Sequence, residues 1–372
     1  MRADYIMIGG FLGAGKTTAL LRLAERLTAE GRRVGLITND QSHGLVDTAL
    51  VGSHGYPVQE ITGGCFCCRF TSLVEAAERL TDETKPDVLL AEPVGSCTDL
   101  RATVQYPLRR LYGDRYRIAP LSVLVDPIRA LRVLGVEPGQ AFSPKVRYVY
   151  GKQLDEAQII VINKADLLTP DRQARLEQAL AASYPDAELH VVSTRTGAGL
   201  VRWFERVTHS ESDTRQAPVL DYDAYADGEA RLGWFNATFH LGAARPFDGN
   251  VLLGDLGRGV SERLVAASLE IAHLKMVLTP DECLGDLAAL NLVGNDRQPE
   301  LSHELRGELS AGELIVNARG EGEPGTLRDA VHAALAHAAA GLAITIAVVN
   351  EEGFRPARPA PTYRMTTSAP AR

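Results

Sequence analysis

The chain has no excess of positive charge, no histidine tract, no internal repeat and no apolar run that reads well as a membrane span. Each absence removes a class of function. With 39 basic against 47 acidic residues and a formal net charge of −8, a general nucleic-acid binder is not expected. The longest membrane-like stretch, residues 333–349, is alanine-rich and carries His337, Gly341 and Thr345, so it suits a buried helix followed by a strand, and no membrane partner is expected. The chain opens on a strand pattern without a signal-type apolar core, which points to a cytoplasmic protein. Cysteine is scarce too. Of five, three crowd together as Cys65, Cys67 and Cys68, which excludes a secreted disulfide framework and suggests metal or redox chemistry.

What is present begins with Gly9-Gly10-Phe11-Leu12-Gly13-Ala14-Gly15-Lys16-Thr17-Thr18. This Gly-x4-Gly-Lys-Thr pattern lies between a short apolar run at 4–8 and a helical stripe over 18–29, the setting of a phosphate-binding P-loop. Gly10, Gly13 and Gly15 let the backbone curl so that N–H groups, Ala14 and Thr18 among them, point at phosphates, and the following helix adds its positive end. Lys16 reaches the outer phosphates, and Thr17 offers a hydroxyl to Mg²⁺. The competing reading is a plain glycine-rich turn.

At 372 residues with 45% hydrophobic composition, two packed domains are expected. Over 1–208, apolar runs at 34–38, 88–91, 121–125, 159–162 and 189–192 alternate with helical patterns at 73–80, 172–182 and 199–207. That alternation specifies an α/β fold, a P-loop NTPase with a doubly wound, mostly parallel sheet. Residues 209–230 carry six acids against Arg215 and read as a solvated acidic linker. From 231 to 353, strands at 233–241, 313–319 and 343–349 with helices at 261–272 and 326–340 suggest a smaller C-terminal α+β domain. The tail, 354–372, is rich in Pro and Arg and is expected to be extended.

The nucleotide is narrowed by Asn163-Lys164-Ala165-Asp166 at the end of the 159–162 run. A carboxylate there can accept hydrogen bonds from both N1–H and the 2-amino group of guanine, a donor pair that adenine lacks; this favours GTP. Lys164 can lay its stem along the base, Asn163 can tie loops together, and Ser193-Thr194-Arg195 offers a second base contact through backbone N–H groups. Glu92, at the end of the 88–91 run, can hold Mg²⁺ through a water, and the N–H of Gly95 can sense the γ-phosphate. Asp40 is a second Mg²⁺-linked candidate. Lys16, Thr17, Glu92 and Asp40 are thus the candidate catalytic groups.

Gly63-Gly64-Cys65-Phe66-Cys67-Cys68 places three thiols within four residues. They can converge on one soft or borderline ion, Zn²⁺ or Co²⁺, but leave a tetrahedral ion one ligand short. His43 is the candidate fourth ligand and Cys97 a weaker one; Cys283 reads as a core residue. A redox switch competes, although the adjacent pair Cys67 and Cys68 is poorly placed for an unstrained disulfide.

Taken together, the P-loop, Gly-Gly-Cys-Phe-Cys-Cys, Glu-Pro-Val-Gly and Asn-Lys-Ala-Asp, in that order, resemble the CobW-type GTPases, relatives of the urease and hydrogenase nickel chaperones. The resemblance covers 1–208. It implies a metallochaperone or insertase that couples GTP hydrolysis to holding a transition metal on Cys65, Cys67 and Cys68 and releasing it to a client metalloprotein or cofactor-pathway enzyme. Two departures stand out: Asn39-Asp40-Gln41-Ser42-His43 replaces an Asn-Glu-Phe-Gly-Glu loop, and the His-rich stretch of some members is missing. The expected mechanism has the γ-phosphate and Mg²⁺ ordering the loops at 40–47 and 92–95 and thereby fixing the thiol site, with a client held by 231–372. No residue is an evident activator of water, so turnover should be slow unless a client, the metal or a second subunit in a homodimer completes the site. A GTP-gated cobalamin or cofactor chaperone, a non-catalytic metal buffer and a P-loop kinase are the alternatives.

Overall fold

The structure, a computed structural model, describes residues 2–39, 55–139, 142–282 and 285–367. Among these the chain forms two compact units. The first comprises the described residues up to 226 together with 358–367, and the second residues 227–357. No helix among the described residues is long and apolar enough to cross a membrane.

The first unit is built on a parallel sheet: β1 (Ala3–Gly10), β2 (Val34–Asn39), β3 (Val58–Ile61), β4 (Val88–Glu92), β5 (Tyr116–Ile118), β6 (Ser122–Val125), β7 (Ile159–Ile162) and β8 (Glu188–Val191). Their order is β3-β2-β4-β1-β6-β7-β8, with β5 also paired to β1. Every pairing is parallel. The central strands β1, β4, β6 and β7 are almost wholly buried, which is why they are continuous apolar runs rather than alternating ones. Helices α1 (Lys16–Ala29), α2 (Phe70–Thr84), α3 (Tyr106–Tyr112), α4 (Pro127–Val133), α5 (Pro144–Asp155), α6 (Pro170–Ser183), α7 (Leu200–His209) and α8 (Tyr222–Glu229) follow in chain order. In α2, Phe70, Leu73, Val74, Ala77 and Leu80 recur at helical spacing and are buried. Asp126 and Thr169 cap α4 and α6 by accepting from backbone N–H groups.

The five strands expected from sequence are all present. β3 and β5 were not anticipated, because Val-Gln-Glu-Ile and Tyr-Arg-Ile are too short and too polar to stand out. Nor is 209–226 a free linker. Arg101 pairs with Asp213, Ser212 N–H donates to Ile118 O at 2.8 Å, and Ala217 and Tyr225 are buried. Of the acids that suggested solvation, Glu211, Asp213 and Asp223 find arginine partners in distant elements, Arg2, Arg101 and Arg358.

The second unit is an antiparallel sheet of β9 (Leu232–Phe247), β10 (Glu270–Pro280), β11 (Ala288–Leu292), β12 (Glu300–His303), β13 (Leu309–Glu321) and β14 (Ile344–Phe354), ordered β12-β11-β10-β13-β9-β14. One face buries Phe235, Phe239, Leu274, Met276 and Val316 against α9 (Gly249–Ala266) and α10 (Pro324–Ala340). The helix expected at 261–272 is therefore corrected: it runs over Gly249–Ala266, and the chain turns at Ser268 into β10. Glycines hid its start. Gly257 and Gly259 sit where an added Cβ would come within 3.0 Å of Pro299 and 3.2 Å of Ala334, so they mark close packing rather than a loop.

At the amino end of β1, Asp4 accepts from Arg32 and Arg117, each at 2.5 Å. Burial works to raise this carboxyl, but the two guanidinium groups outweigh it and the net shift is downward from 3.8. A lowered carboxyl stabilises the fold above its unfolded value and loses that contribution as pH falls through the folded value. Asp4→Asn is expected to cost about 2 kcal/mol at pH 7 and progressively less below about pH 4, as read by denaturant titration.

Candidate functional site

The carboxyl ends of β1, β4 and β7 bring the predicted nucleotide residues together. Gly10, Gly13 and Gly15 all have positive φ, at 132°, 79° and 92°. An added Cβ on Gly10 would lie 2.3 Å from Leu124 O, and one on Gly15 2.5 Å from Asn163 Nδ2. Lys16 and Thr17 open α1 and are 7% exposed. Thr17 Oγ1 donates to Glu92 Oε1 at 3.1 Å, and Lys16 Nζ stands 4.0 Å from the same oxygen. This hydroxyl and carboxylate form an oxygen donor set of the kind Mg²⁺ takes beside phosphates. Gly95 packs against the P-loop so closely that a Cβ there would lie 2.8 Å from Leu12 Cδ2.

Asn163 is fully buried and joins two loops: its Nδ2 donates to Ala14 O at 2.9 Å, and its Oδ1 accepts from Thr194 N–H at 3.1 Å. Lys164 Nζ donates to Gly13 O at 2.8 Å and pairs with Asp126 at 3.0 Å. Ser193 Oγ donates to Asp166 Oδ1 at 2.6 Å, and Arg195 lies 3.8 Å from the other oxygen. The guanine candidates Asn163, Lys164, Asp166, Ser193 and Thr194 thus meet the P-loop in one place. Asp40 and His43, the expected Mg²⁺-linked acid and fourth metal ligand, lie outside the described residues, as does Cys283.

The sulfurs of Cys65, Cys67 and Cys68 lie within 4.8 Å of one another. None of them is in a disulfide. A tight turn, with Cys68 N–H and Arg69 N–H both donating to Cys65 O, gathers them at the start of α2. Asn39 at the end of β2 clasps this turn, donating to Ile61 O at 2.9 Å and Gly64 O at 2.7 Å and accepting from Phe66 N–H at 2.9 Å. Cys65 first, then Cys68 and Cys97, together with burial, raise the Cys67 thiol well above its ordinary range. Crowding by Cys65 raises Cys68 as well. A cation bound here would displace thiol protons.

Cys97, the weaker candidate for a fourth ligand, stands with its Sγ 3.8 Å from Cys67 Sγ. Other neighbours were not legible in the sequence. Residues 360–362 lie over the turn: Ala360 N–H donates to Cys68 Sγ at 3.2 Å, and Thr362 N–H and Oγ1 bond Cys67 O and Cys68 O at 2.9 and 3.1 Å. Tyr363 packs edge-on to Phe70, and Arg364 binds Asp99 at 2.7 Å. Nothing in a Pro/Arg-rich tail signals such docking. The segment 95–101 is pinned from α5 and the residue that follows it. Gln153 Nε2 donates to Gly95 O and Cys97 O at 2.9 Å each, and Glu156 accepts from Thr98 Oγ1 and Arg101 N–H at 3.0 Å each.

The family described as "CobW/HypB/UreG, nucleotide-binding domain" matches residues 4–191, just over half of the chain. The chain is similar to the zinc chaperone YeiR of Escherichia coli (strain K12), 30% identical over 173 residues that span 46% of this chain and 49% of the relative. It is similar to the zinc chaperone CobW of Sinorhizobium sp, 28% identical over 44% of this chain and 51% of that one. Zinc-regulated GTPase metalloprotein activator 1 of Dictyostelium discoideum is 24% identical over 49% of this chain and 44% of its own length. The chain thus spans about half the length of the curated relatives it matches.

Burial, followed by the nearby Asp99, raises the Glu156 carboxyl from 4.5 to about 8. A raised acid binds its proton more tightly in the folded state, so its contribution to stability is full below about pH 4.5 and is lost as pH rises through about 8. Glu156→Gln can accept from Arg101 N–H through its oxygen and donate its amide N–H to Thr98 Oγ1 in place of accepting from it. It is expected to flatten stability between pH 5 and 8, with a gain of up to about 3 kcal/mol at pH 7 by urea titration.

Proposed function

The chain belongs to the CobW/HypB/UreG family of nucleotide-binding domains, and we propose that it is a GTP-hydrolysing metallochaperone that carries Zn²⁺ or Co²⁺ on Cys65, Cys67 and Cys68 to a client protein. The observation that carries this reading is the convergence of three sulfurs within 4.8 Å in the same unit as the P-loop. Thiolates select soft and borderline ions over Mg²⁺, so the sulfur and oxygen donor sets suit different metals. Relatives named as zinc chaperones and as a metalloprotein activator support both the cargo and the client.

In this reading Lys16 and the P-loop N–H groups hold the β- and γ-phosphates, while Thr17 and Glu92 serve Mg²⁺, which neutralises phosphate charge when bound. Asp166 reads guanine, supported at its Oδ1 by Ser193. Gly95, seated against Leu12, is the group whose N–H follows the γ-phosphate. Hydrolysis relaxes the loop beyond Glu92 and loosens the cargo. Turnover is slow until a client, the metal or a second subunit supplies what activates water.

Titration of the metal-free protein with Zn²⁺ and Co²⁺, with and without a non-hydrolysable GTP analogue, tests the coupling. Affinity is expected to change with nucleotide in the wild type and to fall at least about tenfold in Cys67→Ser. Equal affinity in both nucleotide states for every ion would leave a metal buffer instead. The base reading has its own test. Xanthine carries an oxygen where guanine has its 2-amino group, so Asp166→Asn, which offers a donor there, is expected to lose about 100-fold in GTP affinity and to gain binding of xanthosine triphosphate.

A further inference from the structure

Three thiols hold a tetrahedral ion one ligand short, and a fourth sulfur stands beside them. Cys97 is 1% exposed and reaches the group through Cys67, at 3.8 Å. Metal–sulfur bonds of about 2.3 Å in a tetrahedron place the sulfurs about 3.8 Å apart. The Cys67–Cys68 separation of 3.7 Å and the Cys67–Cys97 separation of 3.8 Å already have that spacing, with Cys65–Cys68 closer at 3.3 Å.

The position of Cys97 in the chain gives the contact a second meaning. It follows Gly95 by two residues, and Cys97 N–H bonds back to Val94 O at 3.0 Å, so the intervening backbone is a closed turn. Gln153 bonds that turn at two of its carbonyls, Gly95 O and Cys97 O. A displacement of Gly95, which sits against Leu12 of the P-loop, is therefore passed to Cys97 rather than absorbed between them.

We propose that Cys97 is the fourth thiolate of the cargo site, closing Cys65, Cys67 and Cys68 into an all-sulfur tetrahedron around Zn²⁺ or Co²⁺, and that the nucleotide controls this fourth bond through Gly95. The proposal rests on the reading above that the three-cysteine turn binds a transition metal. Each ligating thiol gives its proton to solvent, and no redox change is involved. With the fourth bond made, the ion is enclosed, as in structural zinc sites. With it broken, a coordination position opens to an incoming client ligand.

Co²⁺ is the probe, added to the purified full chain of the wild type, Cys97→Ser and Cys67→Ser, with and without the non-hydrolysable GTP analogue. Thiolate-to-cobalt charge-transfer absorption is expected to fall by about a quarter in Cys97→Ser, as one of four sulfur ligands is lost, and to stop responding to nucleotide. Wild-type spectra matched by Cys97→Ser in both nucleotide states would overturn the proposal while leaving the three-thiol site intact. If the wild type binds no Co²⁺, the underlying reading fails instead. X-ray absorption of the Zn²⁺-loaded wild type needs no variant: about four sulfur neighbours in one nucleotide state support the proposal, and about three in both states overturn it.

Discussion

The position of β4 between β1 and β2 is the constraint on which the rest depends. Because the three strands are parallel and in register, with Met7 opposite Ala91 and Thr38 opposite Glu92, their carboxyl ends open side by side. Glu92 therefore meets Thr17 on one side, while on the other Asn39 reaches the cysteine turn. The chain leaving β4 then carries Gly95 to the P-loop and Cys97 to Cys67 within a few residues. The P-loop and the thiol turn share a wall because a single strand end serves both. Between them lies only a short loop with two neighbours.

Two buried asparagines keep this wall in shape. An amide side chain can donate and accept at once, which a carboxylate cannot do. Asn163 uses both functions to join Ala14 to Thr194, and Asn39 uses both to join Ile61 and Gly64 to Phe66. Each therefore ties together segments far apart in sequence at the cost of one side chain's freedom, and neither exposes an unsatisfied polar atom in doing so. The P-loop, the segments around 163 and 194 and the cysteine turn are thus cross-linked through two side chains.

How much of this could be read in advance depended on how local each requirement was. The P-loop glycines, the Asn-Lys-x-Asp tetrapeptide and the Cys-x-Cys-Cys spacing are legible because the backbone or ligand geometry they serve is built within a few residues. The contact between Cys97 and Cys67 spans 30 residues, and that between Ala360 and Cys68 spans 292. Neither leaves a periodic trace. Glu156 reads as the ordinary polar end of a helix, and only the fold shows that it is sealed beneath Thr98 and Arg101. In the second unit the opposite error occurs: glycines that permit close helix packing look like breaks, so α9 is misplaced even though Leu252, Leu253, Leu256, Val260 and Leu264 mark its buried stripe.

The four sulfurs differ in access. Cys65, Cys67 and Cys97 are 7%, 2% and 1% exposed, whereas Cys68 is only half-buried. A ligand approaching from solvent meets Cys68 first. There it also meets Ala360, whose N–H donates to that sulfur, and Thr362, which holds the carbonyls of Cys67 and Cys68. An N–H directed at sulfur stabilises a thiolate and so favours retention of a metal. The same segment occupies the side from which an exchanging ligand must come. Residues 360–362 thus cover the solvent side of the thiol turn at Cys68, whereas Cys97 lies on its buried side, in the turn that follows β4.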